Sequence, residues 1–259
     1  MISTYIFFTI IIIIFLSLTV LQLWQWWHSH IRPFFEKIFI KRYFENHPCK
    51  KRLKKTLRLL ISLYKGINSG YISFQERERL AIQDSAFIYG EIDFSSFFTI
   101  LDKVKPQPRE IFYDLGCGSG KAVFAAALFF DLSKAYGIEL LPALYTIANN
   151  QIEKAKNLIK LYDKNLAETY FNRIYCIQFI NDNFLNCNIS DGDIIFINAT
   201  CLDYYTWEAI VEKLLLLKCG SRVIVTTKKI PHDQFNLLHQ TRELMSWGMN
   251  SVNIYIKIQ

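Results

Sequence analysis

The run Asp114-Leu115-Gly116-Cys117-Gly118-Ser119-Gly120-Lys121 puts a carboxylate ahead of three glycines at alternate positions. Ile111-Phe112-Tyr113 before it reads as a short buried strand, and Ala122–Phe130 after it reads as a helix. Glycines let the chain turn tightly there, and the opening turn of a helix presents free N–H groups. A second strand, Lys134–Glu139, ends in an acid 25 positions after Asp114, near the spacing at which a carboxylate meets ribose hydroxyls. Lys121 occupies the position where nicotinamide-binding turns carry their third glycine. A carboxylate at the strand end suits a ligand with a positive amino group better than it suits a pyrophosphate. S-adenosyl-L-methionine meets these requirements. The expected cofactor residues are therefore Asp114, Gly116, Gly118, Gly120 and Glu139.

Such residues need a sheet to hold them. Pro142 opens a helix that continues through Leu144, Ile147, Ile152 and Leu158. Strands are expected at Arg173–Phe179, Asp193–Ile197 and Arg222–Thr227, with a helix over Trp207–Leu217 that stops at Gly220. Alternation of Val252, Ile254, Ile256 and Ile258 with polar residues marks a half-buried strand at Ser251–Gln259. The pattern predicts an α/β fold, a doubly wound mixed sheet with ligands beyond the carboxyl ends of its strands. That rule singles out Asn181–Phe184, where Asp182 or Asn183 could meet an adenine edge, and Phe184 either packs on its face or is an ordinary core aromatic. It also singles out Asn198, at the end of the fourth strand.

The first part of the chain differs in character. Tyr5–Trp27 contains no charged residue and ends in Trp24, Trp26 and Trp27. Twenty-three residues at about 1.5 Å each suffice to cross a hydrocarbon core of about 30 Å. No basic residue precedes the run, and bulky tryptophans stand where a cleaved signal would need small ones. An uncleaved transmembrane helix is expected. Residues 32–58 hold ten cations against Glu36 and Glu45, a balance of +8, whereas the whole chain is +7. By the positive-inside rule this places the N-terminus outside and the remainder in the cytoplasm. Leu53, Leu57, Leu60, Ile61 and Tyr64 repeat at helical spacing under the basic face. That helix either touches anionic membrane lipid or packs its stripe on the following domain, with contact to nucleic acid a third reading that an adjacent anchor disfavours. Gly66–Gly70 is the expected linker, with the domain starting near Tyr71. The six cysteines form no C-x-x-C pair, and no metal site is expected.

Tyr89-Gly90-Glu91, the glycine loop, Gly137-Ile138-Glu139, Asn183-Phe184-Leu185, Ile195–Asn198 and Gly220–Ile224 occur in an order that resembles the disruptor-of-telomeric-silencing (DOT-type) histone-lysine methyltransferases. That family uses the class I S-adenosyl-L-methionine fold. The resemblance covers about Ser85 to Tyr255. It implies that Tyr89 and Glu91 belong to a loop closing over the cofactor and that Asn198 is the active-site asparagine. It also implies that Trp247 and Tyr255 wall the acceptor lysine. Asn183 stands where the family carries Asp, with Asp182 beside it, and Ala199-Thr200-Cys201 replaces a more aromatic run. A protein substrate is the partner expected first, and nucleic acid or a nucleosome comes last. Methylation of a lipid, quinone or other small molecule, and a non-catalytic cofactor-binding module, are the rival readings.

Overall fold

The computed structural model describes residues 19, 20, 22, 32–82, 90–245 and 248–259. Apart from Thr19, Val20 and Gln22, the predicted membrane span lies outside these residues. Among the described residues no helix is long and apolar enough to cross a membrane.

Four helices come first: α1 (Arg32–Asn46), α2 (Lys50–Tyr64), α3 (Ser69–Arg79) and α4 (Phe94–Val104). There follow β1 (Ile111–Leu115), α5 (Lys121–Phe129), β2 (Lys134–Glu139), α6 (Pro142–Ile159), α7 (Lys164–Tyr175), β3 (Ile177–Asn181) and β4 (Ile194–Ile197). The chain closes with α8 (Tyr204–Leu214), β5 (Arg222–Thr226), β6 (Phe235–Met245) and β7 (Gly248–Lys257). The seven strands form one sheet in the order β3-β2-β1-β4-β5-β7-β6. The first five are parallel; β7 runs antiparallel to β5, and β6 antiparallel to β7. The predicted doubly wound mixed sheet is therefore present. The winding reverses between β1 and β4, which makes the crevice beyond their carboxyl ends the natural ligand site.

Period-two side-chain alternation divides the core between the two faces. Phe112, Ile194 and Phe196 pack on one face, whereas Tyr113, Leu115, Ile195 and Ile197 pack on the other with Trp207 of α8. Helix α5 is buried from Ala122 to Phe129, and its alanines let it lie close on the sheet. The stripe of α2 joins this same core: Leu53, Leu59, Leu60, Leu63 and Tyr64 are buried, while Lys50, Lys51, Lys54, Lys55 and Arg58 stay exposed. The apolar side of that helix packs on the domain, although Ile61 of the expected stripe is exposed.

Two expectations need correcting. Arg173–Tyr175 are not strand; they finish α7, whose start is capped by Asp163 accepting from the Leu166 N–H at 3.1 Å. Tyr170, Arg173 and Ile174 recur at helical spacing on its buried side, so the strand begins only at Ile177. Strand β6 was not anticipated, because Asn236–Gln240 are all exposed on the sheet edge and carry no apolar alternation.

Candidate cofactor and acceptor site

Beyond β1 and β4 lies a cavity of about 280 Å³. The glycine loop forms its floor. Gly116 adopts φ +83°, a left-handed conformation that favours glycine, and the N–H groups of Gly116 and Cys117 both donate to the Ile138 carbonyl of β2 at 2.9 and 3.0 Å. Gly120 starts α5 at φ +84°, and a Cβ there would lie 2.6 Å from the Phe179 ring. It shapes the turn and does not line the cavity, whereas Gly116 and Gly118 do.

Asp114 and Glu139 both face the cavity, and both are almost wholly buried. Glu139 accepts from the Gly118 N–H at 2.7 Å and from the Leu141 N–H at 2.8 Å. Burial raises its pKa above the usual carboxylate range, and these N–H groups hold back part of that rise. Asp114 is pushed up further, first by burial and then by the neighbouring Glu139 charge, with no hydrogen bond among the described residues to offset it. Two buried carboxylates of like charge favour a cationic ligand, which would relieve both penalties.

Glu91 closes one side of the cavity. It pairs with Lys121 and accepts from Ser119 Oγ at 3.1 Å, and the Lys121 ammonium also sits 5.4 Å from the centre of the Tyr64 ring. The sequence distinguished Lys121 only as a missing glycine; its position at the first turn of α5 brings it to Glu91. On the opposite side Asn183 and Phe184 line the cavity with Leu140 and Leu141. Asp182 does not line it. It turns into its own loop, where its Oδ1 accepts from the Asn183 N–H and from Asn186 Nδ2.

Asn198 lines the cavity at the end of β4. Its Oδ1 accepts from Thr226 Oγ1 at 2.8 Å and from Thr200 Oγ1 at 3.0 Å, while its Nδ2 donates to the Gly90 carbonyl at 3.3 Å. Asn250 Nδ2 in turn donates to Thr200 Oγ1, and Thr227 Oγ1 donates to Asn250 Oδ1. Thr227 adopts φ +65°, a left-handed conformation costly for a β-branched residue. Thr200 and Thr227 fall in the runs that follow β4 and β5, whereas Thr226 was not singled out, since an isolated hydroxyl carries no pattern. Tyr255 is not brought to the cavity. Its ring is buried on the α8 face and its hydroxyl accepts from the Ile230 N–H at 3.4 Å. Because β7 alternates sides, Val252 and Ile254 take the other face. Met245 stands at the cavity. Tyr89 and Trp247 lie outside the described residues.

S-adenosyl-L-methionine fits what is present. Its positive charge would suit a site with two buried carboxylates, and Glu139 would keep lone pairs for ribose hydroxyls. Asn183, Phe184, Leu140 and Leu141 offer a polar edge and apolar faces for adenine. The fold and cavity thus define an α/β domain that holds this cofactor. The chain belongs to the DOT1 family: the model described as "Histone methylation protein DOT1" matches residues 82–254. A Caenorhabditis elegans protein named histone-lysine N-methyltransferase, H3 lysine-79 specific, is 32% identical over 65% of this chain and 19% of its own length. A Kluyveromyces lactis protein of the same name is 29% identical over 66% of this chain and 32% of its own. The chain therefore spans only a fifth to a third of the length of these relatives. A solved RNA methyltransferase from Salinibacter ruber, in complex with S-adenosyl-L-homocysteine, aligns at 16% identity and a TM-score of 0.45, covering 64% of this chain and 90% of that one.

Proposed function

We propose that this chain is an S-adenosyl-L-methionine-dependent methyltransferase that modifies a protein lysine. The observation that carries the reading is the continuity of one cavity from the Asp114 and Glu139 carboxylates to Asn198 and Thr226. The bound cofactor would supply a methyl group on a cationic sulfur to a neutral amine at the Asn198 end. Transfer of this kind depends on alignment and exclusion of water more than on a strong base. A buried position beside positive charge lowers the pKa of an incoming lysine and so favours its neutral form. Within the site, Glu91 and Lys121 hold the covering loop, Asp114 and Glu139 hold the cofactor, and Asn198 aligns the acceptor side. Trp247 keeps its role as an acceptor wall, whereas the buried placement of Tyr255 favours support of α8.

The proposal extends to location. Residues 5–27 anchor the protein as a single-pass span with its N-terminus outside, and residues 28–70 form a basic segment on the cytoplasmic side whose helix α2 packs into the core of the methyltransferase that residues 71–259 complete. This motivates a second reading, methylation of a lipid or quinone at the bilayer. Incubation of the full chain with methyl-labelled cofactor and host membranes and cytosol separates the two. Label that stays on lysine after lipid extraction supports the protein-lysine reading. Label that leaves wholly with the solvent refutes it in favour of the second.

A further inference from the structure

The buried face of α3 is polar. Its buried residues are Ser69, Ser73 and Glu76, at spacings that put them on one side of the helix. A helix docked on a core ordinarily buries an apolar stripe, and burying polar groups is unfavourable unless they are hydrogen-bonded. Two of the three are satisfied within the protein. Ser69 Oγ donates to Ser119 Oγ at 3.1 Å, and Ser119 in turn donates to Glu91. Glu76 pairs with Arg79 at 2.7 Å.

Ser73 differs. It is 0% exposed and its hydroxyl has no hydrogen-bond partner among the described residues. It also lines the cavity, along with Glu91, Lys121 and Leu144. An orphan buried hydroxyl is unfavourable, and such a group calls for a partner that arrives with a ligand.

We propose that Ser73 is a cofactor-contacting residue and that α3 supplies one wall of the cofactor site, although it precedes the family's matched residues 82–254. Rotation about the Ser73 side chain turns its hydroxyl into the cavity, where it donates to a lone pair of bound S-adenosyl-L-methionine. Ser69 holds the helix in place through Ser119. The inference rests on the cavity being the site of that cofactor.

The test is Ser73→Ala in the full chain, purified in detergent, with thermal unfolding of the cofactor-free protein and calorimetric titration with S-adenosyl-L-methionine. The two readouts should move in opposite directions. Cofactor-free Tm should hold or rise, because an unsatisfied buried hydroxyl has been removed, while Kd for the cofactor rises roughly five- to twentyfold. A purely structural serine would leave Kd unchanged, and that result overturns the proposal. Failure of the wild-type chain itself to bind would overturn the cofactor reading, and the Ser73 contact with it.

Discussion

At the residue scale the site rests on two carboxylates whose burial is unfavourable without the ligand. Both pKa values are raised in the folded protein, so protons favour the cofactor-free fold. A carboxyl with a raised folded pKa gives its full stabilisation below the unfolded pKa of about 4 and loses it as pH climbs through the folded value. Asp114→Asn should therefore raise the cofactor-free Tm at neutral pH, and the gap from wild type should shrink on acidification. The same change removes a charged acceptor worth about 1.5–3 kcal/mol, so the cofactor should bind roughly ten- to a hundredfold more weakly. Thermal scans across pH beside calorimetry check both limbs; equal affinity in the folded variant would remove Asp114 from the cofactor's partners. Asn198 sits differently. Both interactions of its Oδ1 go to Thr226 and Thr200, and its Nδ2 holds the Gly90 carbonyl. A group used for alignment acts mainly in the transition state. Asn198→Ala should accordingly lower turnover by at least tenfold while changing cofactor Kd less than threefold. Single-turnover assays set against titration would expose the opposite pattern.

At the scale of elements, legibility followed local chemistry. The glycine loop, β1, β2 and α6 were visible because turn residues, buried apolar runs and Pro142 each leave a signal within a few positions. The edge strand β6 and the threonine cluster were not, since both are defined by partners far along the chain: Thr226 meets Asn198 across 28 positions. Helix α7 was hidden for a related reason. Arg173 and Ile174 look like strand residues until Asp163 and Tyr170 are placed on the same helix. The sequence located the residues at and after the strand ends but not the direction of their side chains, as Asp182 and Tyr255 illustrate. The N-terminal helices show how tertiary packing overrides composition. The basic run of α2 catches the eye, yet the helix owes its place to Leu53, Leu59, Leu60, Leu63 and Tyr64. Tyr64 also packs on Phe94 and Phe124 with ring centres 5.6 and 6.1 Å away, and its hydroxyl donates to the Ser119 carbonyl in the glycine loop. Fully burying each such side chain is worth about 1.5–3 kcal/mol, and five of them rival the total stability of a typical domain, about 5–15 kcal/mol. A chain beginning at Tyr71 should thus fail to fold cooperatively, whereas one beginning at residue 28 should unfold in a single transition. Circular dichroism melts of the two truncations decide the matter.

At the scale of the whole molecule, charge and hydrophobicity are segregated along the chain. Residues 32–58 carry +8, so the remainder sums to −1. The exposed cations of α1 and α2 lie just after the uncharged Tyr5–Trp27 run, and Phe34, Phe35 and Phe39 of α1 are each more than half exposed. Aromatic rings and cations next to an apolar span are what a membrane interface accommodates. The uncharged run and the site are also separable, because every described residue lining the cavity lies at or after Ser73. Two consequences can be tested together. The full chain should stay in the membrane fraction through carbonate and high salt, and its C-terminal domain should be cut by protease added to the cytoplasmic side of sealed vesicles. Deleting residues 1–27 should release the protein while leaving its affinity for S-adenosyl-L-methionine within about twofold, since no described cavity contact is removed. Extraction of the full chain by salt alone would reduce the N-terminal run to a peripheral contact held by charge, and protection from protease would reverse the topology. In either case the deletion variant's unchanged cofactor affinity would still locate the chemistry in the α/β domain, independent of how the chain is held.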